Sequence, residues 1–289
     1  MELITGENDA GRRLDRILRK ALPDHPLPFL HRLLRQGKVL ADGKSAKAHD
    51  RIGSGVKIYI PSVKIKKKPA VPAYFSGTLD IIWQGSGLIA VNKPAGFAVH
   101  GPESLETIVR SFLSDKLPPS LSFKPGPLHR LDKPSSGIVV FSVNLKGARL
   151  FSSLMRERKV QKTYIAIVEG KVEKEENWED LLARDKNRKK TFISQEKTDV
   201  SKTAITKIKP LAVNDRYSLI SAEITTGRTH QIRAQAAFHG HPLLGDRKYS
   251  GHGNPCFFLH ARKMEFLNFS IEAPLPDKFK EKITELFGR

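Results

Sequence analysis

Pro127-Leu128-His129-Arg130-Leu131-Asp132-Lys133-Pro134-Ser135-Ser136-Gly137, continuing as Ile138-Val139-Val140-Phe141, is the stretch on which the reading of this chain turns. It sets one carboxylate, Asp132, between Arg130 and Lys133 and ahead of a Pro-Ser-Ser-Gly turn. The unbroken apolar run that follows reads as a buried strand. An acidic residue on a loop that feeds the core is either one half of a structural ion pair or a reacting group. Its immediate neighbours leave both readings open.

The chain has 289 residues, enough for one large domain and a small one. With 39% hydrophobic and 28% charged residues it should be globular. Fifty Lys and Arg against 30 Asp and Glu give a formal charge of +20, which favours a polyanionic partner. Nucleic acid leads, with an acidic membrane surface as the alternative. No run approaches the roughly 18–20 apolar residues of a membrane span. The acidic first residues, Met1 to Asp9, carry neither a secretory nor a transit-peptide pattern. One cysteine, Cys256, rules out an internal disulfide and predicts a reducing compartment, simplest as the cytoplasm.

Upstream of the central stretch, Leu14, Ile17, Leu18 and Ala21 form a helical stripe, backed by Arg12, Arg13, Arg16, Arg19 and Lys20. After Pro23, Pro26 and Pro28, a second short helix over residues 30–34 brings Arg32 and Arg35, and Gly37 caps it in a left-handed conformation. Residues 39–44 read as a strand entering a turn, and residues 56–60 alternate as another. Sixteen Lys and Arg against seven Asp and Glu precede residue 69. Their concentration on two successive helices points to a phosphate-binding surface rather than an ordinary solvated face. Residues 62–74, with four lysines and two prolines, read as an extended linker.

Residues 80–83 and 88–91 read as two strands of a hairpin turning at Gln84-Gly85-Ser86-Gly87. The glycines there imitate a dinucleotide fingerprint, but a strand follows where that fingerprint needs a helix. Residues 146–156 have helical spacing, and residues 162–170 alternate as a strand with Tyr164, Ala166 and Val168 on one face. A tyrosine so placed is ordinarily core. Residues 173–198 are polar and charged, and are expected to form an exposed loop. Residues 218–224 alternate as a strand that runs into Thr226-Gly227-Arg228-Thr229-His230-Gln231-Ile232-Arg233 and a helix. A glycine, two arginines and a histidine at such a junction can hold an anion, or can simply start a helix. The scattered His230, His239, His241, His252, Cys256 and His260 do not make a metal-ligand spacing.

Two resemblances follow from these residues. Residues 13–18 with Leu33-Leu34-Arg35-Gln36-Gly37-Lys38-Val39 resemble the S4-type RNA-binding domain. Asn92-Lys93-Pro94-Ala95-Gly96, His129 to Asp132 with Ser135-Ser136-Gly137, Lys162-Thr163-Tyr164, Gly227 to Arg233 and Leu259-His260-Ala261, in that order, resemble the RluA-type pseudouridine synthase family. Ser135 departs from the threonine common there but keeps the hydroxyl.

These resemblances imply an S4-type RNA-binding domain over residues 1–62, a linker over 63–75 and a catalytic domain over 76–289. The implied fold is α+β, a mixed, mostly antiparallel sheet around a central cleft behind a small α/β RNA-binding domain. The implied reaction isomerises uridine in RNA and needs no cofactor or metal. Asp132 would be the catalytic aspartate, Tyr164 a platform for the uracil that also assists C5 deprotonation, and Arg233 the partner of Asp132. Arg130 would fill the gap left by the everted base, and Ile232 would line the pocket. His129, Arg228 and His230 are further RNA-binding candidates, as are Arg12, Arg13, Arg16, Arg32, Arg35 and Lys38 in the first domain. Large-subunit ribosomal RNA is the expected substrate and a monomer the expected state. Transfer RNA, or a non-catalytic RNA-binding role on the same fold, is the alternative.

Overall fold

A computed structural model of the chain describes residues 1–61, 79–185, 187–249 and 256–288. The expected linker over residues 63–75 lies entirely outside them. The first unit comprises β1 (Glu2–Ile4), β2 (Arg12–Arg13), α1 (Leu14–Ala21), α2 (Leu27–Arg35), β3 (Leu40–Ala41), β4 (Lys44–Ser45), β5 (Arg51–Ile52) and β6 (Lys57–Tyr59). Leu14, Ile17 and Leu18 of α1 share a core with Leu30, Leu33 and Leu34 of α2 and with Ile58 and Ile60, as a 3.6-residue stripe requires. Helix α2 begins three residues earlier than expected, because Pro28 sits in its first turn, where a missing N–H breaks no helical bond. Gly37, at φ 67°, closes it as Lys38 N donates to Leu33 O.

The second unit is built on one 11-stranded sheet. Its elements are β7 (Ile81–Gly85), β8 (Leu88–Lys93), α3 (Leu105–Leu113), β9 (Gly126–Pro127), β10 (Ser136–Ser142), α4 (Leu145–Arg156), β11 (Gln161–Glu169) and β12 (Glu176–Asp185). They continue with β13 (Lys190–Ile193), β14 (Lys202–Val213), β15 (Tyr217–Ile224), α5 (Gln231–Phe238), β16 (Leu259–Phe266), β17 (Phe269–Glu272) and α6 (Asp277–Phe287). The main order is β13-β12-β14-β15-β11-β16-β10-β8-β7, with β17 beside β16 and β9 beside β10. Only β10 and β16 pair in parallel; the other ladders are antiparallel. The β7–β8 hairpin turns through Ser86 (φ 52°) and Gly87 (φ 74°), the doubly positive geometry that suits a two-residue connection.

The expected loop over residues 173–198 is instead largely the β12–β13 hairpin. Most of the charges that suggested a loop occupy outward positions, while Trp178, Leu182 and Ala183 are buried and Asp180 turns inward to accept from Gln235. Trp178 stacks on His239 just beyond α5, ring centroids 4.9 Å apart, so that helix covers this end of the sheet. At the hairpin tip Asp185 accepts from the amides of Asn187 and Arg188.

Strand β10 divides two cores. Val139 and Phe141 face one cluster with Tyr164, Leu131 and Ile232, while Ile138 and Val140 face another with Phe151 and Phe266. Burial on both faces is why the run shows no alternation. The entry to β10 is tight: Gly137 has φ 107°, and a Cβ there would lie 2.3 Å from Ala261 O. Ser136 Oγ stands 2.8 Å from Nδ1 of the buried His260 in the same crossing.

The two units touch through Asp9. Its buried carboxylate accepts from the amides of Gly6, Leu121 and Ser122 and from the hydroxyls of Ser120 and Ser122. Burial alone would raise its pKa, but these donors prevail and hold it below the ordinary carboxylate value. Asn8 Oδ1 accepts from Leu145 N at the start of α4. Among the described residues no helix is long and apolar enough to cross a membrane.

Substituting Gly137→Ala should destabilise the protein by about 2 kcal/mol or more, through backbone overlap and the positive φ together. Urea denaturation measures this; a loss under about 0.5 kcal/mol would mean that β10 and β16 part cheaply.

Candidate active site

The loop carrying Asp132 is pinned from below. Lys93, fully buried at the end of β8, donates to Pro94 O (2.9 Å), Phe97 O (2.8 Å) and Lys133 O (3.3 Å), using all three of its protons. Gly96 N also donates to Lys133 O, and Ser135 N closes a turn on Asp132 O. Burial pushes the Lys93 ammonium down to about 8, against the opposing pull of Asp132. The carbonyl beside Asp132 is therefore held from two sides.

Arg233, in the first turn of α5, reaches Asp132 from across the cleft. Its Nη1 donates to Asp132 Oδ2 at 2.9 Å. Its other edge makes a two-pronged bridge to Asp246, Nε to Oδ2 and Nη2 to Oδ1, each 2.7 Å. The guanidinium also lies over the Tyr249 and Phe257 rings, 5.2 and 5.1 Å from their centroids. Burial opposes its charge, but the two carboxylates more than compensate and its pKa is raised. A planar fork with donors on two edges can satisfy two acids in this way; a lysine could not.

Tyr164 projects from β11 into the same pocket as Asp132, Arg233, Ile232, Ile224 and Leu131. Burial, reinforced by the charge of Asp132, pushes its phenol further up, so the hydroxyl keeps its proton near neutrality. Tyr164 is suited to stacking rather than to acting as an ionised base. His230 precedes α5 at φ 54°, with Nε2 3.6 Å from Asp132 Oδ2 and Nδ1 2.9 Å from the Tyr249 hydroxyl. Burial lowers its pKa, opposed by Asp132 and assisted by Arg233 and Lys248.

The remaining expected site residues separate. Arg130 is exposed at the pocket rim, and Arg228, half-buried, lines the pocket while donating through Nε to Thr203 O. His129 departs from its expected role. Its ring packs against Phe151 and Nε2 accepts from Val140 N at 3.0 Å, so it braces the middle of the core strand. Burial and then the charge of Lys162 push its pKa down to about 3, leaving it neutral. In the first unit Arg16, Arg32, Arg35 and Lys38 are exposed, Arg13 pairs with Asp15, and Arg12 turns inward to Ser122 O. Among the described residues no group of three or more His, Cys, Asp or Glu could hold a metal ion.

The sequence reading missed Asp246, Tyr249 and the role of Lys93. Asp246 follows Gly245 in a turn, and nothing in its neighbours links it to an arginine 13 residues earlier. The acid at the pocket is thus one of two on the same guanidinium, where a lone carboxylate was expected. Removing the bidentate partner by Asp246→Ala should cost about 3–5 kcal/mol in urea denaturation, because it leaves a buried guanidinium half paired. A cost below about 1 kcal/mol would mean that the bridge does little to hold Arg233.

The sequence profile of the RNA pseudouridylate synthase family matches residues 87–238. The chain is 31% identical to ribosomal large subunit pseudouridine synthase C of Vibrio vulnificus, covering 93% of this chain and 89% of that protein. It is 32% identical to ribosomal large subunit pseudouridine synthase D of Neisseria meningitidis, covering 93% and 77%. Among solved structures, human RNA pseudouridylate synthase domain containing 4 shares the fold, with a TM-score of 0.61 at 22% identity over 72% of this chain and 92% of that one. With its motifs gathered around one pocket and a profile that spans more than half of its length, this chain belongs to the RNA pseudouridylate synthase family.

Proposed function

We propose that the protein converts specific uridines of large-subunit ribosomal RNA to pseudouridine, with Asp132, Tyr164 and Arg233 as the reacting and positioning groups. The observation that carries this reading is the convergence of a guanidinium-paired carboxylate and a protonated aromatic platform on one pocket. The named substrates of the relatives favour ribosomal over transfer RNA. The compartment that suits this substrate is the cytoplasm.

The chemistry is an isomerisation. The N1–C1′ bond breaks, the uracil turns, C5 bonds to C1′, the C5 proton leaves and N1 gains one. Asp132 either attacks C1′ or takes the C2′ proton to give a glycal. A base within a helix is unreachable, so it must be everted at a cost of a few kcal/mol. Stacking on Tyr164 and insertion of Arg130 into the vacated space offset that cost. Arg233 holds the carboxylate of Asp132 oriented while the base turns.

The first unit is read as an S4-type RNA-binding domain, with the catalytic domain following the linker. Arg16, Arg32, Arg35 and Lys38 would lie along phosphates of structured RNA, with Arg13 and Arg12 nearer the junction.

Mapping pseudouridines by carbodiimide-dependent reverse-transcription stops, with and without the gene, tests the substrate. Loss of a stop in large-subunit ribosomal RNA is expected, and loss only in transfer RNA would overturn it. Asp132→Asn should retain RNA binding while turnover falls by about a thousandfold or more; near-normal turnover would refute its role. Reversing Arg32 and Arg35 to Glu should weaken RNA binding and flatten its dependence on salt by a slope of about 1–2. Unchanged affinity and slope would remove the RNA-binding assignment.

A further inference from the structure

Lys162 is the one residue of the Lys162-Thr163-Tyr164 motif with a charge, and the reaction as described does not use it. It precedes Tyr164 by two on β11, so its side chain leaves the sheet on the same face, roughly 7 Å along the strand. It is only 7% exposed. Among the described residues no carboxylate pairs with it. Burial alone, with no acid to oppose it, pushes its ammonium down to about 8.

The ammonium lies where one pocket-lining arginine, Arg228, leaves the chain. A Cβ on Gly227 would stand 3.4 Å from Lys162 Nζ, and Gly227 itself is exposed, so the charge lies beneath open backbone just before Arg228. Across the β11–β15 ladder Lys162 pairs with Ile224, which lines the pocket together with Arg130. The carboxylate lining the pocket, Asp132, is already taken by Arg233. Arg130 and Arg228 thus line the pocket, Lys162 stands behind it beneath Gly227, and among the described residues no free carboxylate faces the three cations.

We propose that Lys162 binds a backbone phosphate of the everted nucleotide, completing with Arg130 and Arg228 a phosphate site at the pocket mouth. This rests on the pseudouridine synthase reading above. A buried unpaired ammonium is unfavourable in the free protein. A phosphate entering with the substrate supplies the missing anion, and does so only when the base occupies the Tyr164 side of the pocket. An RNA phosphate fits better than a protein carboxylate, because the adjoining cations form a rim along the path of a chain whose base points inward.

The test uses the full-length protein and a ribosomal RNA fragment carrying the mapped uridine, labelled with tritium at C5, whose release reports turnover. Lys162→Met should fold with a Tm no lower than wild type, since it removes a buried charge. Its KM should rise about ten- to hundredfold with kcat nearly unchanged. Its salt dependence should be shallower by a slope of roughly 0.7–0.9, one phosphate contact. Lys162→Arg should recover much of the loss. Replacing either phosphate flanking the uridine by methylphosphonate should, at one position, weaken wild type as Lys162→Met does and add nothing to that variant. Wild-type KM and salt slope in Lys162→Met, a fall in kcat alone, or fully additive losses with both methylphosphonates would overturn the proposal. If Lys162→Met fails to fold, the same methylphosphonate comparison between wild type and Lys162→Arg decides it, equal penalties in both arguing for the contact and no penalty in either against it. Absence of tritium release by wild type would instead refute the synthase reading, and the phosphate site with it.

Discussion

One buried guanidinium, that of Arg233, joins the two halves of the pocket. It takes Asp246 along one edge and Asp132 at the other, while Tyr249 and Phe257 close over its faces. Desolvating a charge this fully is unfavourable unless its donors are met, and here two acids and two rings meet them. The arrangement divides the labour. Asp246, almost wholly enclosed, fixes the guanidinium; Asp132, more accessible, is oriented by it and left facing the cleft.

That orientation would be lost if the loop bearing Asp132 could drift, and the fold prevents this from beneath. Lys93 and Gly96 fasten the Lys133 carbonyl, His129 accepts from the Val140 amide within the core strand, and Gly137 lets β10 press against β16. Each of these contacts spans many residues of chain. The site is consequently a property of the sheet, since the loop, α5 and β11 are all positioned by their neighbours in it. The amino-terminal unit is fastened to the same body by Asp9, whose five donors come mostly from residues 120–122.

The distribution of unpaired charge follows the same logic. Among the described residues Asp132, Asp180 and Asp246 each meet a donor, whereas Arg130 and Arg228 at the pocket have no carboxylate partner. A surface that presents unmatched positive charge is poorly stabilised by itself and well suited to a polyanion. Lys162 is the extreme case, enclosed yet unmatched.

Much of this was legible in the chain. The helical stripe of α1, the β7–β8 hairpin, the doubly buried β10 and the alternation of β11 and β15 all follow from periodicity, because local sterics and one-sided burial leave their mark at spacings of two or 3.6 residues. The motif order named the family and, through it, Asp132, Tyr164 and Arg233. The β12–β13 hairpin was misread because outward charges on an edge of the sheet look the same as those of a loop. The inward turn of His129, the second acid on Arg233 and the three carbonyls around Lys93 were invisible for a different reason. They depend on how the chain turns back on itself, over separations from one residue (Lys93 to Pro94) to 40 (Lys93 to Lys133), and residue spacing carries no record of which groups that brings within about 3 Å. Periodicity thus marked α1, the β7–β8 hairpin, β10, β11 and β15 and the residues able to host the chemistry, while which charges meet was left to packing, because packing sets the distances on which electrostatics depends.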